Sequence, residues 1–209
     1  MDAFVEVARK HHLVLIEDCC QAHMTEYKGK LAGTIGDIGC FSFQQSKHMT
    51  TGDGGMTITS HQKYYEKMKF FVDKGFARKG WGSRAYLVLA PNYRMNELTA
   101  SVGLAQLKKV KPVVQKRQEL ASYMTQLISE MDEIEVMPIT PGAKASYWLY
   151  TFKLKNLDAQ EFAKKMQQEK LWVSVGYTGK PIYLCTEALT VKKTYGQSQC
   201  PFTCHQTDK

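Results

Sequence analysis

Two short apolar runs that do not alternate, LVLIED at 13–18 and IGCFSF at 38–43, constrain this fold more than any other feature. A strand with one wet face alternates apolar and polar residues. A continuous apolar run needs cover on both faces, which is the condition of strands in parallel α/β sheets. The first run follows directly on a helical pattern over 1–12, with Phe4, Val5, Val7 and Ala8 as its apolar stripe. A helix feeding a buried parallel strand is the second half of a βαβ unit. The expectation is therefore an α/β fold with a mostly parallel sheet, entered partway through.

The remaining pattern extends that reading. GGMTITS at 54–60 reads as a third strand, and HQKYYEKMKFFVDK at 61–74 as a helix with Gly75 as its cap. Residues 75–95 form a long loop containing GFARKGWGSR. A long helical pattern starts at Asn96, with Pro112 expected to kink or interrupt it. After a linker, MPITPG, come a strand at 146–154, a helix at 158–170 with Asp158 as N-cap, and a strand at 172–177. This change of character predicts two domains: residues 1–119, the larger α/β part, and residues 120–209, a smaller α+β part.

Composition narrows the function classes. No apolar run approaches the roughly 20 residues of a membrane-spanning helix, and the N-terminus lacks a signal-peptide core. The sequence thus reads as cytoplasmic and without a membrane partner. Cys19 and Cys20 are adjacent, Cys40 lies in a strand, and Cys185, Cys200 and Cys204 are scattered, which suits reduced thiols better than disulfides or a metal centre. The net charge of +8 is spread along the chain, and no nucleic-acid-binding signature accompanies it.

In α/β sheets, ligands bind beyond the carboxyl ends of the strands. Two polar exits stand there: Asp18 after the first run, and Gln44 to Lys47 after the second, followed by TTGDGG. A carboxylate and a lysine at neighbouring strand ends can be a salt bridge. They can also be the two poles of a pyridoxal phosphate site, with the amine meeting the aldehyde and the carboxylate meeting the pyridinium nitrogen.

The motifs VLIEDCCQAH, GTIGDIGCFSFQQSKHMTTGDGGMTIT and APNYRMNELTASVGLAQL occur in an order that resembles the DegT/StrS group of PLP-dependent sugar aminotransferases, within fold type I. The resemblance implies an aspartate-aminotransferase-like large domain, only partly present, and a small C-terminal domain. It implies transamination of a keto-sugar, nucleotide-linked sugar or cyclitol, with glutamate or glutamine as donor, in a homodimer with shared active sites. It places such an enzyme in cell-surface polysaccharide or antibiotic biosynthesis. Lys47 matches the Schiff-base lysine, Asp18 the pyridinium partner, Gln21 a residue against the ring, and Ser42 a phosphate-binding hydroxyl. Asn92 matches an asparagine that reaches toward the partner subunit's cofactor. His23, Trp81, Arg84, Tyr177, Lys180 and Tyr183 are the corresponding substrate candidates. Related dehydratases carry histidine where Lys47 stands, so the lysine favours transamination.

The resemblance also implies a first half of the large domain that lies before the helix at 1–12. Without it, the expectation is a fragment with an open sheet edge, poor solubility and weak or absent PLP binding. The competing reading is a non-catalytic remnant that keeps the fold and lacks a complete cofactor site.

Overall fold

The computed structural model describes residues 1–78 and 85–176. These fall into two compact units, Met1–Lys153 and a second that begins at Leu154.

The chain opens with α1 (Asp2–Lys10) and β1 (Ile16–Asp18), then the short β2 (Glu26–Tyr27) and β3 (Lys30–Leu31). β4 (Ile38–Ser42), β5 (Gly55–Thr59) and α2 (Gln62–Val72) follow. The long α3 (Glu97–Ile128) leads to β6 (Ile134–Val136), β7 (Ala143–Lys144) and β8 (Phe152–Leu154), and α4 (Ala159–Gln168) lies in the second unit.

The central sheet has the order β1-β4-β5. β1 and β4 are parallel, with Ile16 opposite Ile38 and Asp18 opposite Cys40, whereas β5 returns antiparallel to β4. The expected cover on both faces of the first strand is not present. Leu13, Val14 and Ile16 are exposed, and β1 has no neighbouring strand on its outer side among the described residues. A small sheet, β3-β2-β7, stands where the sequence showed only a polar stretch.

The core sits between the exit of β4 and the middle of α3. Phe43, Met49, Val110 and Val114 are buried together, with Met24 and Phe41 packed against them. This packing explains why Pro112 does not interrupt α3 as expected. Val110 and Val114 are pinned on either side of it, and Lys108, whose carbonyl loses its helical partner, faces solvent. The helix starts where the sequence suggested: the Asn96 side chain accepts the Thr99 N–H at 2.9 Å. After α2, Lys74 turns left-handed (φ 62°) and the Gly75 N–H closes onto the Phe70 carbonyl at 2.7 Å.

Of the strand expected over 146–154, only Phe152–Leu154 forms. Side chains take the carbonyls that a neighbouring strand would need. Gln118 donates to Ala145 at 2.8 Å, and Arg117 donates to Tyr147 and Trp148 at 3.1 Å each. His48 Nε2 meets the Ser146 carbonyl at 2.9 Å. Residues 172–176 form no strand either. The second unit's helix α4 is capped as expected, with Asp158 accepting the Glu161 N–H at 2.7 Å.

Glu17 and two glycines fix the turn before β4. The buried Glu17 carboxylate accepts the N–H groups of Gly33, Ile35 and Gly36 at 2.8, 2.7 and 2.6 Å. Gly39, on β4, lies so close to this turn that a Cβ would sit 2.4 Å from the Gly33 carbonyl oxygen. Gly39→Ala should therefore destabilise the chain by ~1–3 kcal/mol, read as a lower urea midpoint at unchanged slope.

Candidate active site

The parallel β1–β4 pair brings its two polar exits to one edge of the sheet. Asp18 is the last residue of β1 and Ser42 the last of β4. Asp18 Oδ1 accepts the Cys20 N–H at 3.0 Å. Hydrogen bonds from Cys20 hold the Asp18 carboxyl below the usual range, and the positive charge of Lys47 adds to this against slight desolvation. The same contact keeps the Cys20 thiol protonated, pushed up to about 11, while burial raises Cys19 to about 12. Asp18 is thus an anion at neutral pH and its neighbouring cysteines are not nucleophiles.

Past Ser42 the chain makes a tight polar turn. Ser42 Oγ accepts the Gln44 N–H at 3.2 Å, Gln44 Oε1 accepts both Ser46 N–H (2.8 Å) and Oγ–H (2.7 Å), and the Lys47 N–H returns to the Gln44 carbonyl at 3.0 Å. Gly54 closes the loop with φ 137°, a conformation that side chains other than glycine's rarely adopt, and its carbonyl accepts the Phe43 N–H at 2.8 Å. Lys47 therefore leaves a fixed turn, and its side chain is half-buried. The positive charge of Lys47 contributes in a small way at Asp18, Cys20, His23 and His48. Lys47 and Asp18 do not close into an ion pair. The ammonium sits over the Trp148 ring, 3.9 Å from its centroid.

His23 is buried against Phe41, Phe43 and His48, with ring centroids 5.6, 6.0 and 5.7 Å away. Neither of its ring nitrogens has a hydrogen-bond partner. Burial, then the charges at His48 and Lys47, push it down to about 4, and the nearby Ser42 backbone offsets this only in part. His48 is lowered too, mainly by burial. In the unfolded chain a histidine takes up its proton near pH 6.5; folded His23 does so only near 4. The stability linked to His23 is therefore full above about pH 6.5 and is lost as pH falls toward 4, on the order of 2–3 kcal/mol. His23→Phe, surrounded by Phe41 and Phe43, should flatten that acid limb. Urea titrations at pH 7.5 and 4.5 check this; parallel losses in both proteins would contradict it.

The other sequence candidates are less gathered. Gln21 is exposed and lines a cavity of about 820 Å³ together with Thr25, Thr125, Tyr147, Trp148 and Tyr150. Asn92 stands apart on an exposed segment. Its backbone bridges to Asp73, and its side-chain oxygen accepts from Arg94 Nε at 3.1 Å. Arg94 in turn pairs with the buried Asp73 at 3.1 Å. Trp81, Arg84, Tyr177, Lys180 and Tyr183 lie outside the described residues, as do Cys185, Cys200 and Cys204. Sequence reasoning missed Trp148 and Ser146. Both reach the Lys47 turn from about a hundred positions away, and no local signal marks them.

Comparisons with known proteins bear on this arrangement. The profile described as the DegT/DnrJ/EryC1/StrS aminotransferase family matches residues 1–208. The chain is 32% identical over 173 residues to GDP-perosamine synthase of Escherichia coli O157:H7, covering 82% of this chain and 46% of that protein. Its fold is similar to Helicobacter pylori PseC, an aminotransferase involved in the biosynthesis of pseudoaminic acid (TM-score 0.79, 26% identity, 92% of this chain and 52% of that one). It is also similar in fold to S. venezuelae DesV, whose crystal structure holds a ketimine intermediate (TM-score 0.82, 22% identity, 96% and 52%). The chain thus spans about half the length of the proteins it matches. Its mixed helix and sheet match about half of the fold of these aminotransferases, which is PLP fold type I. No helix among the described residues is long and apolar enough to cross a membrane.

Proposed function

Because this chain belongs to the DegT/DnrJ/EryC1/StrS aminotransferase family, we propose that it carries the lysine-bearing part of a PLP-dependent site that transfers an amino group to a keto-sugar, nucleotide-linked sugar or cyclitol. The single observation that carries this reading is that Asp18 ends β1 and the Ser42–Lys47 turn leaves the parallel β4 at the same carboxyl edge. The residues suit the cofactor: an ionised carboxylate for a pyridinium nitrogen, an amine with no carboxylate partner among the described residues for an aldehyde, and the Ser42 hydroxyl for a phosphate. When bound, PLP supplies the electron sink that makes the substrate's Cα–H acidic.

The chain's own residues do the rest. Asp18 would hold the ring nitrogen's proton through a charge-assisted hydrogen bond. Lys47 would supply the amine that binds the aldehyde and the base that moves the substrate Cα proton. Gln21, three residues after Asp18, would lie against the ring face; the cavity it lines reaches Trp148 and does not include Asp18, Ser42 or Lys47. Asn92, braced by Arg94 and Asp73, serves the partner subunit's site in a homodimer. In this reading residues 1–119 belong to the cofactor-binding domain and residues 120–209 to the smaller one, with α3 running through both.

The names of the relatives favour a sugar acceptor. The test is amino transfer by the complete enzyme containing this chain, with glutamate or glutamine as donor and a nucleotide-linked 4-keto-sugar or a cyclitol ketone as acceptor, followed by mass spectrometry of the aminated product. Retention of PLP without transfer to any of these acceptors would defeat the substrate class. Failure to retain PLP at all would favour the non-catalytic reading.

A further inference from the structure

Lys47 is held from both sides by one distant segment. The carbonyl of Ser46, just before it, accepts the Trp148 Nε1–H at 2.8 Å. His48, just after it, meets the Ser146 carbonyl through Nε2 at 2.9 Å. Between these two bonds the Lys47 ammonium rests over the Trp148 indole, 3.9 Å from its centroid. The segment itself is rigidly fixed. Ser146 is fully buried and its hydroxyl pairs with Thr25 Oγ1 at 2.8 Å. Every carbonyl from Ala145 to Trp148 has a side-chain partner, three of the four bonds coming from Arg117 and Gln118 on α3.

We infer that Trp148 is a positioning residue for Lys47: its indole face is the resting place of the free amine, and its N–H fixes the turn from which the amine swings. The inference rests on the reading of Lys47 as the cofactor-binding lysine only for its consequence, not for its geometry. A cation over an indole face gains electrostatic attraction that a neutral amine does not. The ammonium is therefore held and aimed over the indole face. Asp18 accepts from Cys20 rather than from the amine, so the aromatic face and not a carboxylate holds it. A carboxylate partner would lock the lysine in place; the ring restrains it and lets it go.

The test compares Trp148→Leu and Trp148→Phe with the parent chain, without PLP. Each is acetylated under limiting N-hydroxysuccinimide acetate at neutral pH, and the rate at Lys47 is read by peptide mass spectrometry against the exposed pair Lys116 and Lys165. Leucine covers the amine but offers no π face, so Lys47 should be labelled roughly threefold to tenfold faster than in the parent. Phenylalanine keeps a face but loses the Nε1–H that holds the Ser46 carbonyl, so its rate should fall between the parent's and the leucine variant's. Equal rates in the leucine variant and the parent would overturn the inference, as would a phenylalanine variant that matches leucine. Circular dichroism confirms that the fold is kept. Should the leucine variant not fold, the phenylalanine arm decides: a rate near the parent's supports the inference and a rise beyond about fivefold overturns it. A parallel arm adds PLP to the complete enzyme. Loss of PLP retention with the labelling difference intact would sink the cofactor reading and leave the positioning role standing.

Discussion

Lys47→Ala should abolish amino transfer by the complete enzyme, by on the order of 10⁴-fold or more, while leaving the urea midpoint of the chain almost unchanged. The expectation follows from how the side chain is used. Lys47 makes no ion pair among the described residues, and its one aromatic contact is with Trp148. The fold therefore loses only a modest cation–π contact, about 0.5–1 kcal/mol. The chemistry loses both its covalent anchor and its proton carrier. Lys47→Arg separates the two roles, since guanidinium keeps the charge over the indole but is neither nucleophile nor base at neutral pH. It should be as inactive as alanine. An arginine variant that retains a tenth of the parent rate would show that charge alone serves, and would remove the covalent role.

Glu17→Ala should be the most damaging substitution for stability, costing ~3–5 kcal/mol. Glu17 is buried, and its carboxylate is the acceptor for the N–H groups of Gly33, Ile35 and Gly36. Alanine leaves the buried Gly33 N–H and the partly buried N–H groups of Ile35 and Gly36 without their acceptor, and no described side chain is placed to replace the carboxylate. Glu17→Gln should cost about half as much, because one oxygen can still accept from Ile35 and Gly36 while the amide faces Gly33. The consequence reaches the site: Glu17 precedes Asp18 in β1, and the turn it organises leads into β4 and so to Lys47. Chemical denaturation at neutral pH measures both variants. A loss below about 1 kcal/mol for alanine would mean that water or a rearranged turn satisfies those donors.

Local pattern accounted for the elements that hold the site's two poles. The unalternating runs located β1 and β4, the asparagine before the long helix capped it, and Asp158 capped α4. The pattern failed where distant side chains decide the outcome. SYWLYT reads as a strand by composition, yet Arg117 and His48 take its first carbonyls and Gln118 takes that of Ala145 just before it. Pro112 reads as a helix break, yet Val110 and Val114 hold the helix through it. Glu17 reads as the polar end of a strand, and only the fold of residues 33–36 shows it to be a structural acceptor. Trp148 could not have been linked to Lys47 from sequence, since its contact with Ser46 spans 102 positions. Family motifs supplied the roles of Asp18, Gln21, Ser42 and Asn92; composition and spacing alone favoured a salt bridge or no contact between Asp18 and Lys47.

The most direct measurement is to saturate the complete enzyme with PLP, reduce it with borohydride, and map the modified lysine by peptide mass spectrometry, in the parent and in Asp18→Asn. The expected result is a phosphopyridoxyl group on Lys47, with several-fold weaker PLP retention in the asparagine variant. A group fixed on some other lysine, or distributed over many, with Lys47 unmodified, would contradict a cofactor held between positions 18 and 47.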